Sequence, residues 1–206
     1  MCGRYWIDDK DTPADMQAII DALNRRSEAV KTGEIRPADA APVIANSRRM
    51  TPAPFLMRWG YAMDGGRRVI NARSETAASK PLFADGIKSR RCLIPASGYY
   101  EWARRSREKT KYEIRDVSRP MLYLAGLYRL TDGMPEFTIL TREPEESVSF
   151  LHDRMPVILP PECLGAWLSP DADPAGIIAS ARAALIPSVA AGQAQTISFF
   201  ELDLDS

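Results

Sequence analysis

The spacing of hydrophobic and polar positions changes once along the chain, from a helical pattern to a strand pattern. Within residues 11–29, four apolar residues recur every three or four positions: Met16, Ile19, Ile20 and Leu23. This spacing predicts an amphipathic helix in which Thr12 is the N-cap and Pro13 lies in the first turn. Residues 33–45 are rich in proline, which favours an extended chain.

From Phe55 onward the apolar runs shorten to strand length. Strands are predicted in 54–63, 67–73, 90–102, 111–117, 121–130 and 136–141, helices in 143–151, 161–168 and 173–185, and a last strand in 194–202. Because the predicted helices lie before and after the central strands, and not between them, we expect an α+β fold. Its core would be a mostly antiparallel, barrel-like sheet flanked by helices. We expect residues 1–206 to form a single domain.

Length and composition exclude several classes of protein. The chain has 206 residues, of which 45% are hydrophobic and 26% charged. It contains neither an apolar run of the ~18 residues that span a bilayer nor a signal-peptide pattern, so we expect a cytoplasmic protein without membrane contact. Three widely spaced cysteines and one histidine are too few for a zinc site. No glycine-rich nucleotide loop is present, and we expect neither a metal nor a small-molecule cofactor.

The net charge is zero, but the charges are unevenly distributed. Residues 48–119 contain 17 Lys and Arg against 7 Asp and Glu, whereas residues 162–206 contain one Arg against six acidic residues. Adjacent arginines occur at 48–49, 67–68, 90–91 and 104–105. Arginine binds phosphate well, so the basic segment favours a polyanion such as nucleic acid, although solvated basic faces would give the same count.

Two segments in the first half of the chain carry polar residues suited to chemistry. Cys2 follows Met1, so removal of the methionine would place an α-amine and a thiol on adjacent carbons. A cysteine near a chain end can also simply pack as a small apolar residue. Asn71, Arg73 and Glu75 alternate after an apolar run, and a strand would place all three on one face. The ordinary alternatives are a turn asparagine and an exposed ion pair.

Two further segments lie in the second half. Glu101 stands between Tyr100 and Trp102, and an aromatic setting can raise the pKa of a carboxylate so that it serves as a general acid. It could instead pair with Arg104 on the surface. His152 begins the motif HDR directly before a buried-looking strand, and it could either transfer protons or cap a helix.

These motifs together resemble one known family. They are MCGRY (1–5), WG (59–60), INARSET (70–76), RRCLIPASGYYEW (90–102), LAGLY (124–128), FTILT (137–141) and HDRMPVIL (152–159). In this order and at these intervals they are similar to the SRAP proteins, the SOS-response-associated peptidases or abasic-site processing proteins. The resemblance extends from Cys2 to about Leu168. Two departures are Tyr99, where the family usually has phenylalanine, and Ile35-Arg36, where an asparagine usually precedes the proline-rich segment.

The resemblance implies a DNA-damage function. The family binds abasic sites in single-stranded DNA and forms a thiazolidine crosslink between the N-terminal cysteine and the opened sugar, after removal of Met1. By similarity, the catalytic residues are Cys2, Asn71, Glu101 and His152. Candidates for binding DNA are Arg4, Arg73 and Arg154 at phosphates and Trp59 and Trp102 as stacking surfaces. We expect a monomer that is associated with the nucleoid when bound to DNA.

Two alternatives from other functional classes remain open at the level of sequence. In an N-terminal-nucleophile amidohydrolase, the thiol of Cys2 attacks an amide, its own α-amine acts as the base, and Asn71 belongs to an oxyanion hole. In a non-catalytic module for binding single-stranded DNA, Cys2 is only structural. The basic middle segment favours the crosslinking protein or the binding module over the amidohydrolase.

Overall fold

Two β-sheets dominate the part of the chain that the computed structural model describes, residues 2–8, 10, 12–26, 29–103 and 110–191. The strands, in chain order, are β1 (Arg4–Ile7), β2 (Gly33–Ile35), β3 (Ala40–Asn46), β4 (Pro52–Trp59), β5 (Tyr61–Ala62), β6 (Arg68–Val69), β7 (Asn71–Arg73), β8 (Arg91–Ala96), β9 (Gly98–Trp102), β10 (Lys111–Asp116), β11 (Leu122–Arg129), β12 (Glu136–Arg142), β13 (Met155–Pro156), β14 (Ile158–Leu159) and β15 (Leu185–Val189). β5 and β6 form a separate small hairpin.

The larger sheet closes on itself. Its order is β13-β12-β4-β3-β8-β11-β14, and β12 also pairs with β11, so the strands β12, β4, β3, β8 and β11 form a ring. β12 runs parallel to β4 and β7, whereas the other pairings in this sheet are antiparallel. The predicted α+β fold with a mostly antiparallel, barrel-like core is therefore confirmed.

The smaller sheet, in the order β15-β10-β9-β1-β2, packs one face against the ring. Alternate residues of each strand point to opposite faces, so Tyr5 and Ile7 of β1 enter one apolar cluster together with Trp59 and Ile94 of the ring. A second apolar cluster lies on the other side of the ring strands and includes Leu93, which neighbours Ile94 in sequence. The chain before β1 therefore enters the interior between the two sheets.

The described helices are α1 (Ala14–Asn24), α2 (Ser74–Ala77), α3 (Pro81–Ser89), α4 (Leu164–Leu168) and α5 (Pro174–Ser180), with short 3₁₀ helices at Asp64–Gly66, Glu146–Val148 and Pro161–Cys163. The predicted apolar stripe of α1 is confirmed, since all four of its residues are buried. The predicted N-cap is wrong, because Pro13 occupies that position. The hydroxyl of Thr12 instead donates a hydrogen bond to the carbonyl of Asp8 at 2.7 Å.

Three other predictions about the elements need correction. Helices α2 and α3 do lie between strands; Phe83 and Ile87 of α3, four residues apart, are buried in the second apolar cluster. Only Glu146–Val148 of the segment 143–151 is helical. The helix predicted for 173–185 ends at Ser180, and the chain then forms the unpredicted strand β15. The strand predicted in 194–202 lies outside the described residues.

Candidate active site around Cys2

Cys2 lies immediately before β1 and is completely buried between the two sheets. Its Sγ is 3.7 Å from the carbonyl oxygen of Arg4. Burial raises the pKa of the Cys2 thiol far above its usual value, and the negative charge of Glu101 raises it further. The thiol is therefore protonated at neutral pH, and Glu101 is near enough to act on it.

Asn71 holds the main chain of Cys2 in place. Its Nδ2 donates a hydrogen bond to the carbonyl oxygen of Cys2 at 2.9 Å. Asn71 begins β7, which is fixed by parallel pairing of Asn71 with Ile139 of β12. The other amide atom of Asn71, Oδ1, is buried and accepts no hydrogen bond from any described residue. A second donor at Cys2 could therefore bind to it.

Glu101 is buried on the face of β9 that points toward the ring, and only 5% of its surface is exposed. Its sequence neighbours Tyr100 and Trp102 point to the opposite face, so they do not provide the aromatic setting expected from the sequence. Tyr99, two residues earlier, shares the face of Glu101, and Tyr112 is its register partner on β10. The carboxylate thus lies on the side of the sheet where Cys2 is buried.

Two tyrosines on this inner face belong to the same neighbourhood. Tyr5 and Tyr99 are register partners on β1 and β9, and both are fully buried with Cys2 in one apolar cluster. Their hydroxyls have no hydrogen-bond partner among the described residues. Burial raises the pKa of Tyr99 well above its usual value, and the charges of Cys2, Glu101 and Glu145 raise it further. Sequence reasoning missed both residues, although the strand alternation of 99 and 101 would have indicated Tyr99.

The opposite, outer face of the smaller sheet carries Arg4 and Trp102. Nη1 of Arg4 forms an ion pair with Oε1 of Glu34, and its guanidinium lies 5.9 Å from the centroid of the Trp102 ring. Nζ of Lys111 is 2.6 Å from the other carboxylate oxygen of Glu34, and Nε of Arg36 is 2.9 Å from Oε1. Burial alone would raise the pKa of Glu34, but the hydrogen bonds from Lys111, Arg4 and Arg36 lower it to about 2.

His152 lies in the loop that precedes β13, and 12% of its side chain is exposed. Its Nδ1 accepts a hydrogen bond from the backbone N–H of Arg154 at 3.0 Å, and Oδ1 of Asp153 lies 2.6 Å from the same nitrogen. The contact with Asp153 becomes an ion pair only when the imidazole is protonated.

The guanidinium of Arg154 forms hydrogen bonds within the protein. Its Nη1 and Nη2 each lie 2.8 Å from an oxygen of Glu75, and Nη2 also donates to the carbonyl of Thr141 at 2.5 Å. Glu75 is in α2, since the strand alternation predicted from Asn71 to Glu75 ends at Arg73. The guanidinium of Arg154 therefore ties the His152 loop to α2 and to β12, and its assignment to phosphate stays a prediction.

The two remaining DNA-binding candidates have opposite environments. Arg73, at the end of β7, is exposed and forms no hydrogen bond or ion pair with any described residue. Trp59 is fully buried, its Nε1 donates to the carbonyl of Ile70 at 3.0 Å, and its ring stacks on Phe137. The assignment of Trp59 as a stacking surface for DNA is therefore wrong, because no face of its ring can reach a base.

The arginine-rich segment is also less exposed than its count suggests. Arg91 is 5% exposed and donates hydrogen bonds to the carbonyls of Trp167, Ile87 and Ser169, at the ends of two helices. Arg68 pairs with Glu136 at 2.9 Å. Within the described ranges, no group of three or more His, Cys, Asp or Glu side chains is placed to hold a metal ion.

Comparison with known proteins gives consistent family matches. Residues 1–191 match the family model described as SOS response associated peptidase (SRAP). Abasic site processing protein YoaM from Bacillus subtilis is 35% identical over 182 residues, which cover 82% of this chain and 80% of that protein. Abasic site processing protein YedK from Escherichia coli is 28% identical over 116 residues, which cover 53% of this chain and 52% of that protein.

Solved structures match over most of the fold. A protein from Bacteroides thetaiotaomicron superimposes with a TM-score of 0.75 at 21% identity, covering 91% of each chain. A phage-related protein from Bordetella bronchiseptica gives a TM-score of 0.72 at 27% identity, covering 92% of this chain and 94% of that one. Of the helices that the structure describes, none is long and apolar enough to cross a membrane.

Proposed function

The chain belongs to the SOS response associated peptidase (SRAP) family, and from this membership we propose that it processes abasic sites in single-stranded DNA. The proposed product is a covalent DNA–protein crosslink, a thiazolidine that joins Cys2 to the ring-opened sugar of the abasic site. The name abasic site processing protein, carried by the relatives YoaM and YedK, supports this substrate. The crosslink would protect the lesion during the response to DNA damage.

The N-terminal position of the cysteine gives the proposal its chemistry. After removal of Met1, the α-amine of Cys2 has a pKa of ~7.8, so about a quarter of it is neutral near pH 7.4, against about a thousandth of a lysine amine. The neutral amine attacks the sugar aldehyde, and loss of water gives an imine. The adjacent thiol then adds to the imine carbon, and its proton moves to nitrogen. The ring closes without a further reactant.

The hydrogen bond from Asn71 to the carbonyl of Cys2 is the observation that carries this proposal. It fixes the residue that must present both amine and thiol, and its unpaired Oδ1 offers an acceptor for the amine or for a sugar hydroxyl. Glu101, on the same side of the sheet as Cys2, would shuttle protons during opening of the sugar ring and formation of the imine. His152 would move protons at the sugar oxygen and assist the slow reversal.

DNA would be held by basic and aromatic groups outside the buried site. Arg73 is exposed at the end of the strand that carries Asn71, which suits it to a phosphate beside the lesion. Arg4 and Trp102 offer a cation and an aromatic ring on the outer face of the smaller sheet. We propose that Arg154 positions the His152 loop.

The protonated thiol of Cys2 argues against the amidohydrolase alternative. A cysteine nucleophile that attacks an amide reacts as a thiolate, and burial disfavours the thiolate here. In the crosslinking reaction the amine attacks first, so a protonated thiol is no obstacle. An experiment must still distinguish the crosslinking protein from the non-catalytic binding module.

One denaturing gel tests the proposal. The protein, shown by mass spectrometry to lack Met1, is incubated with a single-stranded oligonucleotide that carries one abasic site. A heat-stable shifted band that is lost in Cys2→Ala is the expected result. The absence of such a band overturns the proposal, and binding of the oligonucleotide without a band would indicate the non-catalytic module. Glu101→Gln, tested as protein from which Met1 has been removed, is expected to slow crosslinking, and His152→Ala to slow reversal.

The same mass measurement addresses how Met1 is removed. We propose that the chain cleaves its own Met1–Cys2 bond with the help of Glu101, in keeping with the peptidase in the family's description. Retention of Met1 in Glu101→Gln, but not in the wild type, is the expected result. Complete loss of Met1 from both proteins would instead assign the cleavage to a cellular aminopeptidase.

A further inference from the structure

The hydroxyl of Tyr99 is a buried polar group that the proposed reaction has not yet used. Tyr99 is only 1% exposed, and its hydroxyl forms no hydrogen bond with any described residue. Such a group costs about 1–3 kcal/mol when it is left unpaired in a protein interior. A buried donor of this kind therefore suggests that a ligand atom completes its bonding.

The backbone places this hydroxyl beside the reacting residues. Tyr99 and Glu101 are two residues apart on β9 and point to the same inner face. On the neighbouring strand, the register partner of Tyr99 is Tyr5, three residues after Cys2. Cys2 and Tyr99 belong to one buried cluster, and both Cys2 and Glu101 lie near enough to influence the pKa of the phenol. Tyr99 thus belongs to the buried neighbourhood of Cys2 and Glu101.

We propose that the hydroxyl of Tyr99 donates a hydrogen bond to the aldehyde oxygen of the opened sugar while the amine of Cys2 attacks it. This inference rests on the proposed function. It makes Tyr99 a further catalytic residue, with a role distinct from that of Glu101: Tyr99 stabilises charge on the oxygen, and Glu101 moves protons.

The electron pairs and protons balance in the proposed step. The amine nitrogen forms a bond to the aldehyde carbon, and the carbonyl π pair moves to the oxygen, where Tyr99 stabilises the developing alkoxide. A proton from nitrogen, carried by Glu101, converts the alkoxide to a hydroxyl. Glu101 then protonates that hydroxyl, which leaves as water while the nitrogen lone pair forms the C=N bond, and the resulting iminium returns its remaining N–H proton to Glu101 to give the neutral imine. The Cys2 thiol adds to the imine and gives its proton to nitrogen.

A phenol in this environment suits such a role. Burial keeps the pKa of Tyr99 well above its usual value, so the group stays a neutral donor throughout the working pH range. A fixed donor in a buried site also stabilises a developing alkoxide more strongly than water does, because it need not reorganise. Reversal passes through the same transition state, so the hydroxyl accelerates both directions equally.

Tyr99→Phe removes the one oxygen atom and leaves the ring. Imine formation is measured alone in a Cys2→Ala background, which keeps the α-amine but lacks the thiol, by trapping with borohydride on an abasic oligonucleotide. We expect Tyr99→Phe to slow trapping by about tenfold to a hundredfold. In the protein with Cys2 intact, crosslinking and reversal should slow by the same factor, and the equilibrium yield should not change.

Tyr61→Phe is the matched control. It removes one hydroxyl from a fully buried tyrosine of the second apolar cluster, away from Cys2, and should leave trapping unchanged. The urea midpoint of Tyr99→Phe should equal or exceed that of the wild type, because an unpaired buried hydroxyl is lost. A trapping rate in Tyr99→Phe equal to that of the wild type overturns the inference. So does a result in which Tyr5→Phe slows trapping and Tyr99→Phe does not. If the wild-type protein itself forms no crosslink, the proposed function has failed, which is a separate result.

Discussion

The guanidinium of Arg154 and the carboxylate of Glu75 form a two-pronged ion pair, with both nitrogen–oxygen distances at 2.8 Å. Arg154 follows His152 by two residues, and Glu75 lies in α2, directly after the strand that holds Asn71 and Arg73. The pair therefore connects the segment that carries the histidine to the segment that anchors Cys2. Only 10% of the Arg154 side chain is exposed but 48% of the Glu75 side chain is, so water screens the contact from the side of Glu75.

Glu75→Gln should loosen this connection. We expect the free energy of unfolding to fall by about 1 kcal/mol, because a neutral amide replaces a charged, bidentate partner of a poorly solvated arginine. Crosslinking should also slow, since the loop that carries His152 is held less firmly against α2. Urea unfolding measures the change in stability. The crosslinking rate is measured by stopping the reaction with an abasic oligonucleotide at successive times.

Glu143→Gln controls for the loss of a negative charge nearby, because Glu143 is exposed and its carboxylate pairs with no described residue. It should behave as the wild type in both measurements. A Glu75→Gln protein with wild-type stability and rate would mean that the pair does not position the loop. If Glu75→Gln instead bound intact strands more tightly and crosslinked faster, Arg154 would be a phosphate ligand restrained by Glu75.

Asn71→Leu should slow crosslinking by roughly tenfold, the equivalent of about 1.4 kcal/mol in the barrier, because the hydrogen bond that fixes the carbonyl of Cys2 is lost. Asn46→Leu is a matched control. Asn46 likewise lies at one end of a strand, β3, and its Nδ2 donates to a backbone carbonyl, that of Leu168, at 2.8 Å. Both variants should lose some stability, but only Asn71→Leu should lose rate. Equal rates in the two variants would remove Asn71 from the site.

Much of this site could be predicted from short motifs, because each motif keeps its chemistry within a few residues. Asn71, Arg73 and the pair Tyr99 and Glu101 lie on strands, where the period of two assigns their faces. The sequence could not reveal which charged side chains form ion pairs with residues that are distant in the chain. Arg154 and Glu75 are 79 positions apart and meet only because β7 and β13 flank the same end of β12.

The mistaken elements have a similar cause. Residues 74–89 were not expected to be helical, because charged and small residues obscure the spacing of Phe83 and Ile87, and burial against the ring strands determines the result. Trp59 was assigned to DNA by its position in a motif. The closed sheet buries its side chain, because alternate residues at the C-terminal end of β4 point into the interior.

Trp59 and Trp102 should therefore respond differently to mutation. Trp59→Phe should lower the free energy of unfolding by about 2 kcal/mol, because it leaves a cavity and removes one of the two hydrogen bonds that the carbonyl of Ile70 accepts, and it should not change DNA affinity. Trp102→Ala should weaken binding of single-stranded DNA by about 1–3 kcal/mol through the loss of a stacking surface. Anisotropy of a labelled oligonucleotide measures both. Equal affinity of Trp102→Ala and wild type would remove the outer face from the interface.

Arg73→Ala should weaken binding of single-stranded DNA regardless of base sequence. If Arg73 neutralises one phosphate, the slope of log affinity against log salt should fall in magnitude by about 0.7. Arg182→Ala is the control, because Arg182 is exposed but donates only to the carbonyls of Ala179 and Ala181 in its own turn. Affinities titrated between low and moderate salt provide the slopes. An unchanged slope in Arg73→Ala would exclude a phosphate contact.

Acid should destabilise the protein partly through Glu34. Its pKa in the folded state is about 2, below the value of about 4.3 in an unfolded chain. The ionised carboxylate therefore contributes stability that is fully present above the unfolded pKa, and this contribution is lost as the pH falls from about 4.3 through about 2. In Glu34→Gln the contribution is absent at every pH. The urea midpoints of wild type and variant should differ most at pH 6 and converge as the pH approaches 2.

Glu113→Gln is the control for the loss of a carboxylate from the outer face of the smaller sheet. Glu113 is half-buried on β10, and its carboxylate pairs with no described residue, so its substitution removes a carboxylate from this face without breaking an ion pair. Glu34→Gln should also release Arg4, and since that arginine borders Trp102, binding of single-stranded DNA should tighten at low salt. A difference in midpoint between wild type and Glu34→Gln that stays constant from pH 6 to pH 2 would contradict the depressed pKa, because only a group that titrates differently in the two states makes stability depend on pH.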